Sequence, residues 1–176
     1  MPILQQGLSV CGKQGLHWAI YRGDSFTCQV PAQQLMRAAL RLKATLLAHG
    51  GVSIRLGLGI GEVTHHAHQI TECQGPAFER SGVAFDELRR MTMKLRTGNA
   101  AEDARWDVML GLAMRAVDAW TPPAAEAVEW ALEHPEQSQG DWAVGLGKSQ
   151  STISETLKRA AFDELMAMVT YFEETR

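Results

Sequence analysis

Hydrophobic residues recur at spacings of three and four along most of the chain, and the interruptions of that rhythm divide it into elements. Leu35, Ala39, Leu42 and Leu46 fall on one face of a helix predicted over residues 32–49, opened by Pro31 and closed by His49, Gly50 and Gly51. A second helix begins at Pro76 and turns Phe78, Ser81, Phe85 and Leu88 inward. Gly98 and Asn99 then break the pattern between residues 96 and 102. It resumes over residues 103–120, where Trp106, Leu110, Ala113, Val117 and Trp120 form one stripe. Thr121 is placed to cap the next helix, whose first residues are Pro122 and Pro123 and which stops before Pro135. Two stretches depart from the helical rhythm. Residues 17–21 and 25–30 read as strands of a β-hairpin turning at Arg22, Gly23 and Asp24. Residues 52–63, VSIRLGLGIGEV, read as a central strand whose glycines allow another backbone or a ligand to come close.

Residues 139–160, QGDWAVGLGKSQSTISETLKRA, carry the most specific local pattern, that of a helix-turn-helix. Trp142, Ala143 and Leu146 supply the buried face of a short first helix, and Gly147 suits a left-handed turn. Ser149 is the expected N-cap of a second helix anchored by Ile153 and Leu157. Gln150, Ser151, Ser154, Glu155 and Lys158 lie opposite that apolar pair, where a DNA major groove would meet them. Units of this kind also serve as packing modules or protein-binding surfaces. The stripe Ile153, Leu157, Ala161, Leu165, Met168/Val169 and Phe172 continues the spacing, so the second helix is expected to run on almost to the end of the chain. Such a stripe serves as intramolecular core or as a dimer seam.

With 176 residues and 45% hydrophobic content, the chain can bury a real core. No apolar run approaches the roughly 20 residues of a membrane span, and no signal-peptide pattern opens the sequence, so the expected location is cytoplasmic. Cys11, Cys28 and Cys73 lack CxxC spacing and read as reduced structural residues. Net charge is −3, but the distribution is uneven: residues 1–100 carry 11 basic and 6 acidic side chains, residues 101–176 carry 6 and 14. A +5 part thus precedes a −8 part, which runs against DNA gripped by the C-terminal part alone. Either the two parts contact each other, within one chain or across a dimer, or the basic part helps hold an anionic ligand or a nucleic-acid backbone.

Four landmarks occur in order: GDSF at 23–26, RLGLGIGEV at 55–63, GPAFERS at 75–81 and SQSTIS at 149–154. In these the chain resembles the SatD family of bacterial proteins. The first two also resemble the core of class III nucleotide cyclases, a ferredoxin-like α+β fold. The resemblance implies an α+β architecture, with a cyclase-like domain over residues 1–98 and an all-α domain over residues 99–176 that holds the helix-turn-helix at about 138–160.

Two-metal cyclase chemistry needs a pair of carboxylates to hold ions about 3.5–4 Å apart. Asp24 matches the hairpin acid, but residues 1–23 contain no Asp or Glu to accompany it. Catalysis is therefore not expected, and Asp24 reads as a turn residue bonding its own backbone. Asp24 and Arg55 are the candidate ligand-binding residues, Arg55 because its fork suits an oxyanion. The plainer reading pairs Arg55 with an acid on a neighbouring strand and gives the glycines to helix packing. No dinucleotide or phosphate-loop spacing is present. His65, His66 and His68 read as a polar loop, with no metal and no cofactor expected. The sequence thus points to a homodimeric transcriptional regulator that contacts DNA through Lys148, Ser149, Gln150, Ser151, Ser154, Glu155, Lys158 and Arg159. The alternative from another class is an interaction or ligand-sensing module without DNA, and a third is a metal-dependent nucleotide-processing enzyme using Asp24.

Overall fold

A computed structural model describes residues 2–21 and 25–176. The chain runs α1 (Pro2–Ser9), β1 (Trp18–Tyr21), β2 (Ser25–Cys28), a 3₁₀ turn (Ala32–Gln34), α2 (Leu35–Gly50), β3 (Leu56–Gly59), a second 3₁₀ turn (Ile70–Glu72), α3 (Pro76–Asp86), β4 (Met93–Arg96), α4 (Ala100–Val117), α5 (Pro122–Glu133), α6 (Gln139–Gly145), α7 (Gln150–Arg159) and α8 (Phe162–Glu174). The mixed α+β class is as expected. Among the described residues the strands form two separate pairs, β1–β2 antiparallel and β3–β4 parallel. The expected turn residue Asp24 lies outside the described residues.

Local chemistry accounts for several helix ends. Asn99 accepts from the amides of Ala101 and Glu102 at the start of α4, and the Thr121 hydroxyl accepts from Ala124 N–H to open α5. Gly51 closes α2 in the left-handed conformation at φ 61°.

The glycine-rich segment has a specific use. α3 lies across the β3–β4 pair so closely that a Cβ at Gly57 would sit 2.5 Å from Phe85 N and from Ser81 O. One at Gly59 would collide with the backbone of Ala77 and Ser81. The glycines therefore admit a helix, the packing alternative of the sequence reading.

Four expectations need correction. The central strand of 52–63 is confined to Leu56–Gly59, because its ladder partner among the described residues is the four-residue β4. β4 itself was not anticipated. Phe85 does not face inward: it is 46% exposed, and Ala84 takes the buried position. The C-terminal helix is not continuous. Ala161 adopts φ 55°, a left-handed conformation rare for a residue with a Cβ, and α8 restarts at Phe162. Trp120 Nε1 donates to Ala160 O at 3.0 Å and pins that break from α4's end.

One hydrophobic core joins both parts of the chain, from Leu8 to Phe172. α2 lies at its centre, packed most extensively against α5 and also against α1 and α8. The opposite charges meet within the chain: Arg37 pairs with Glu173 at 2.8 Å, Arg41 with Glu133, Lys43 with Asp118 at 3.5 Å and Arg96 with Asp107 at 3.0 Å. Glu129 on α5 accepts from Thr45 Oγ1 at 2.6 Å and meets His49 Nε2 at 2.7 Å, a polar link inside the α2–α5 interface. Among the described residues no helix is long and apolar enough to cross a membrane.

Candidate nucleic-acid interface

The residues singled out at positions 148–159 come together on the unit formed by α6, a tight turn and α7. Ser138 opens α6 with a capping box, its hydroxyl accepting from Asp141 N–H while the Asp141 carboxylate accepts from Ser138 N–H. The Ser138 hydroxyl also lies 2.7 Å from the Asp141 carboxylate and donates to it, and that bond, joined by the one from Ser138 N–H, holds the Asp141 carboxyl below the usual carboxylate range. Trp142 anchors α6 from within, donating from Nε1 to His134 O at 3.0 Å and meeting Phe162 edge-on at 6.2 Å. Gly145 is where the Trp130 ring lies against the backbone and leaves no room for a side chain.

Gly147 takes φ 62° in the turn, as its sequence position predicts, and Lys148 N–H donates back to Ala143 O. Ser149 caps α7: its hydroxyl accepts from Thr152 N–H at 3.2 Å. Its Oγ also lies 2.9 Å from Ser151 Oγ and 2.8 Å from Thr152 Oγ1. Ile153 and Leu157 are 1% and 3% exposed and seat α7 on the core, with Ala160 buried beside them. The opposite face is open to solvent: Gln150, Ser151, Ser154, Glu155, Lys158 and Arg159 are all exposed.

Electrostatics across this face are nearly balanced. Lys148 is held by Glu126 at 2.7 Å, and Arg159 reaches Glu155 at 3.4 Å with both side chains well exposed. An exposed i, i+4 pair of that length contributes about 0.3–0.5 kcal/mol, so Arg159 is easily released to another anion. Among the described residues Gln150, Ser154 and Lys158 have no side-chain hydrogen bond or ion pair. Lys158 and Arg159 stand in the last turn, where the helix dipole favours cations.

The other candidates lie elsewhere. Asp24 is outside the described residues. Arg55 is exposed just before β3, its guanidinium 5.4 Å from the centre of the Phe85 ring, a cation–π contact where an acid partner was one expectation. No hydrogen bond or ion pair among the described residues joins it to α7. Among the described residues no group of three or more His, Cys, Asp and Glu is placed to hold a metal ion.

Sequence reasoning passed over the proximity of Cys11 and Cys28, which follows α1 in one case and ends β2 in the other. Their separation in sequence and lack of a CxxC spacing concealed it. No protein-family model, curated protein or solved structure matches the chain.

Proposed function

We propose that the chain is a DNA-binding regulator that acts as a homodimer, with α6 and α7 as a helix-turn-helix and α7 as its recognition helix. One observation carries the reading. α7 is fastened by Ile153 and Leu157 while Gln150, Ser154 and Lys158 on its far side are exposed and have no partner among the described residues. At ten residues the helix is about 15 Å long, a length that fits a major groove about 12 Å wide. Gln150, Ser151 and Ser154 are assigned to base edges, and Lys148, Lys158 and Arg159 to phosphates. The resemblance to SatD proteins belongs to this proposal, as does a ferredoxin-like, cyclase-like origin of the N-terminal part. That part is assigned dimerisation or ligand sensing, without catalysis, in the cytoplasm of a bacterium.

Arg37, Arg41, Lys43, Lys94 and Arg96 in the N-terminal part are already paired with acids, so the proposal draws its phosphate contacts from α7 and the turn before it. Three cations per copy give a slope of log K against log salt of about −2.7, and two copies about −5.4. Fluorescence anisotropy against a random-duplex pool and the DNA upstream of the chain's own gene, over a salt series, tests this directly. Selective binding with the steeper slope supports a dimer on a paired site. Q150A/S151A should then relax selectivity without unfolding the protein, and selectivity that survives both changes would reassign the reading face. An absence of binding at low salt would favour the second reading, an interaction module, for which the acidic excess of residues 101–176 is the supporting observation.

A further inference from the structure

Cys11 and Cys28 are 17 positions apart in sequence, and the fold brings them to one place. Cys28 is directly opposite Trp18 in the β1–β2 hairpin, so both side chains project from the same face. Trp18 Nε1 donates at 3.0 Å to the carbonyl of Gly12, the residue that follows Cys11. Cys11 is held in the turn after α1 by its own N–H, which donates to Leu8 O at 2.9 Å. Both cysteines are free, half-buried and packed against the central core. We infer that Cys11 and Cys28 form a dithiol site that a hydroperoxide oxidises to an intramolecular disulfide.

The surroundings assign the roles. The neighbouring Cys28 thiol, aided by the positive charge of Arg41, holds the Cys11 thiol below its ordinary range against the opposing effect of burial. The proximity of Cys11 and the burial of Cys28 push the Cys28 thiol up. Arg41 Nε is itself buried without a hydrogen-bond partner among the described residues. Cys11 is therefore the attacking sulfur and Cys28 the resolving one.

In the first step the Cys11 thiolate attacks one oxygen of the hydroperoxide. An S–O bond forms, the O–O bond breaks, and the departing oxygen takes up a proton and leaves as water or an alcohol. The thiolate has lost two electrons to the peroxide and stands as a sulfenic acid. In the second step the Cys28 sulfur attacks the Cys11 sulfur. The S–S bond forms, the S–O bond breaks, and the hydroxide leaves as water with the Cys28 proton. A cellular dithiol reverses the result by exchange. The product fastens the end of α1 to the end of β2, with Cys73 outside the pair.

The test uses the full chain, reduced, exposed to one equivalent of hydrogen peroxide, then alkylated and digested without reductant for peptide mass spectrometry. The expected result is a single cross-linked species joining the Cys11 and Cys28 peptides, lighter by two hydrogens than their sum, with Cys73 still alkylated. In C28S a sulfenic-acid trap such as dimedone should label Cys11, and in C11S Cys28 should stay reduced. Alkylation of all three cysteines after peroxide, bridges to Cys73 or between chains, or dimedone on Cys28 in place of Cys11 would each overturn the assignment. The wild-type map decides the pairing even if a variant fails to fold.

Discussion

Substituting Gly57 by alanine separates two explanations of the glycine-rich strand, a place for a ligand or a seat for α3. The new Cβ would meet Phe85 N and Ser81 O at 2.5 Å, and ordinary contact begins near 3.4 Å. α3 must therefore move by about 0.9 Å, because its backbone cannot rotate away as a side chain can. Overpacking of this kind costs about 1–3 kcal/mol, and the upper end applies where both neighbours are backbone atoms. Replacing glycine returns about 0.4–1 kcal/mol by restricting the unfolded chain. The net loss is about 2 kcal/mol, or about 4–8 °C in Tm for a chain of this size. Gly82 provides the control, since it sits within α3 and a Cβ there meets nothing within 4 Å. G82A should gain about 0.8–1 kcal/mol in helix propensity. Urea unfolding followed by far-ultraviolet circular dichroism gives both midpoints, with the slopes checked for constancy. A G57A midpoint equal to or above that of the native chain would refute the packing account and return the strand to a ligand.

Three further outcomes are expected. S149A removes the cap of α7 and should cost about 1 kcal/mol in urea unfolding, whereas S149N keeps an acceptor for Thr152 N–H and should stay near the native value. E129A leaves the buried Thr45 hydroxyl without its acceptor and should cost about 1–3 kcal/mol by the same measurement; a loss under about 0.5 kcal/mol would show the link to be dispensable. Glu102 is held below its ordinary value of 4.5, chiefly by its hydrogen bond from Arg176. Its contribution is therefore full above pH 4.5 and fades as pH falls through the lower folded value. Thermal melts of E102Q against the native chain should differ at neutral pH and converge in acid, and a gap that widened on acidification would contradict the assignment.

The sequence announced the parts of this fold that short-range chemistry controls. Thr121 before two prolines, Ser149 before an amphipathic turn and Gly147 between two helices each state their structure within four residues. The strands were harder because their partners are distant. MKLR at 93–96 alternates buried and half-buried positions, but four residues with two long basic side chains read as a strand only once Leu56–Gly59 lies alongside. The break at Ala160 and Ala161 had no glycine or proline to mark it, and the apolar spacing from Leu157 to Leu165 passes over it without a gap. α1 is only eight residues long and carries no long apolar stripe, so nothing local announced it. At the candidate interface, the face of α7 was legible from periodicity alone. What neutralises it was not, since Glu126 comes from another helix and reaches Lys148 only through the tertiary fold.

The packing of α2 against α5 has a consequence for synthesis. α2 ends at Gly50 and its main partner begins only at Pro122, so the part of its apolar face that α5 will cover stays open while the intervening chain is made, with only α1 of its helical partners already synthesised to pack on it. At ordinary elongation rates that exposure lasts on the order of 10 s, far longer than a helix needs to form. The emerging chain thus presents a sticky amphipathic helix to its surroundings well before the core can close. Folding yield should depend on a holdase chaperone or on the pace of translation between residues 50 and 133 more than on final stability, and slowing that stretch with rare codons should lower soluble yield.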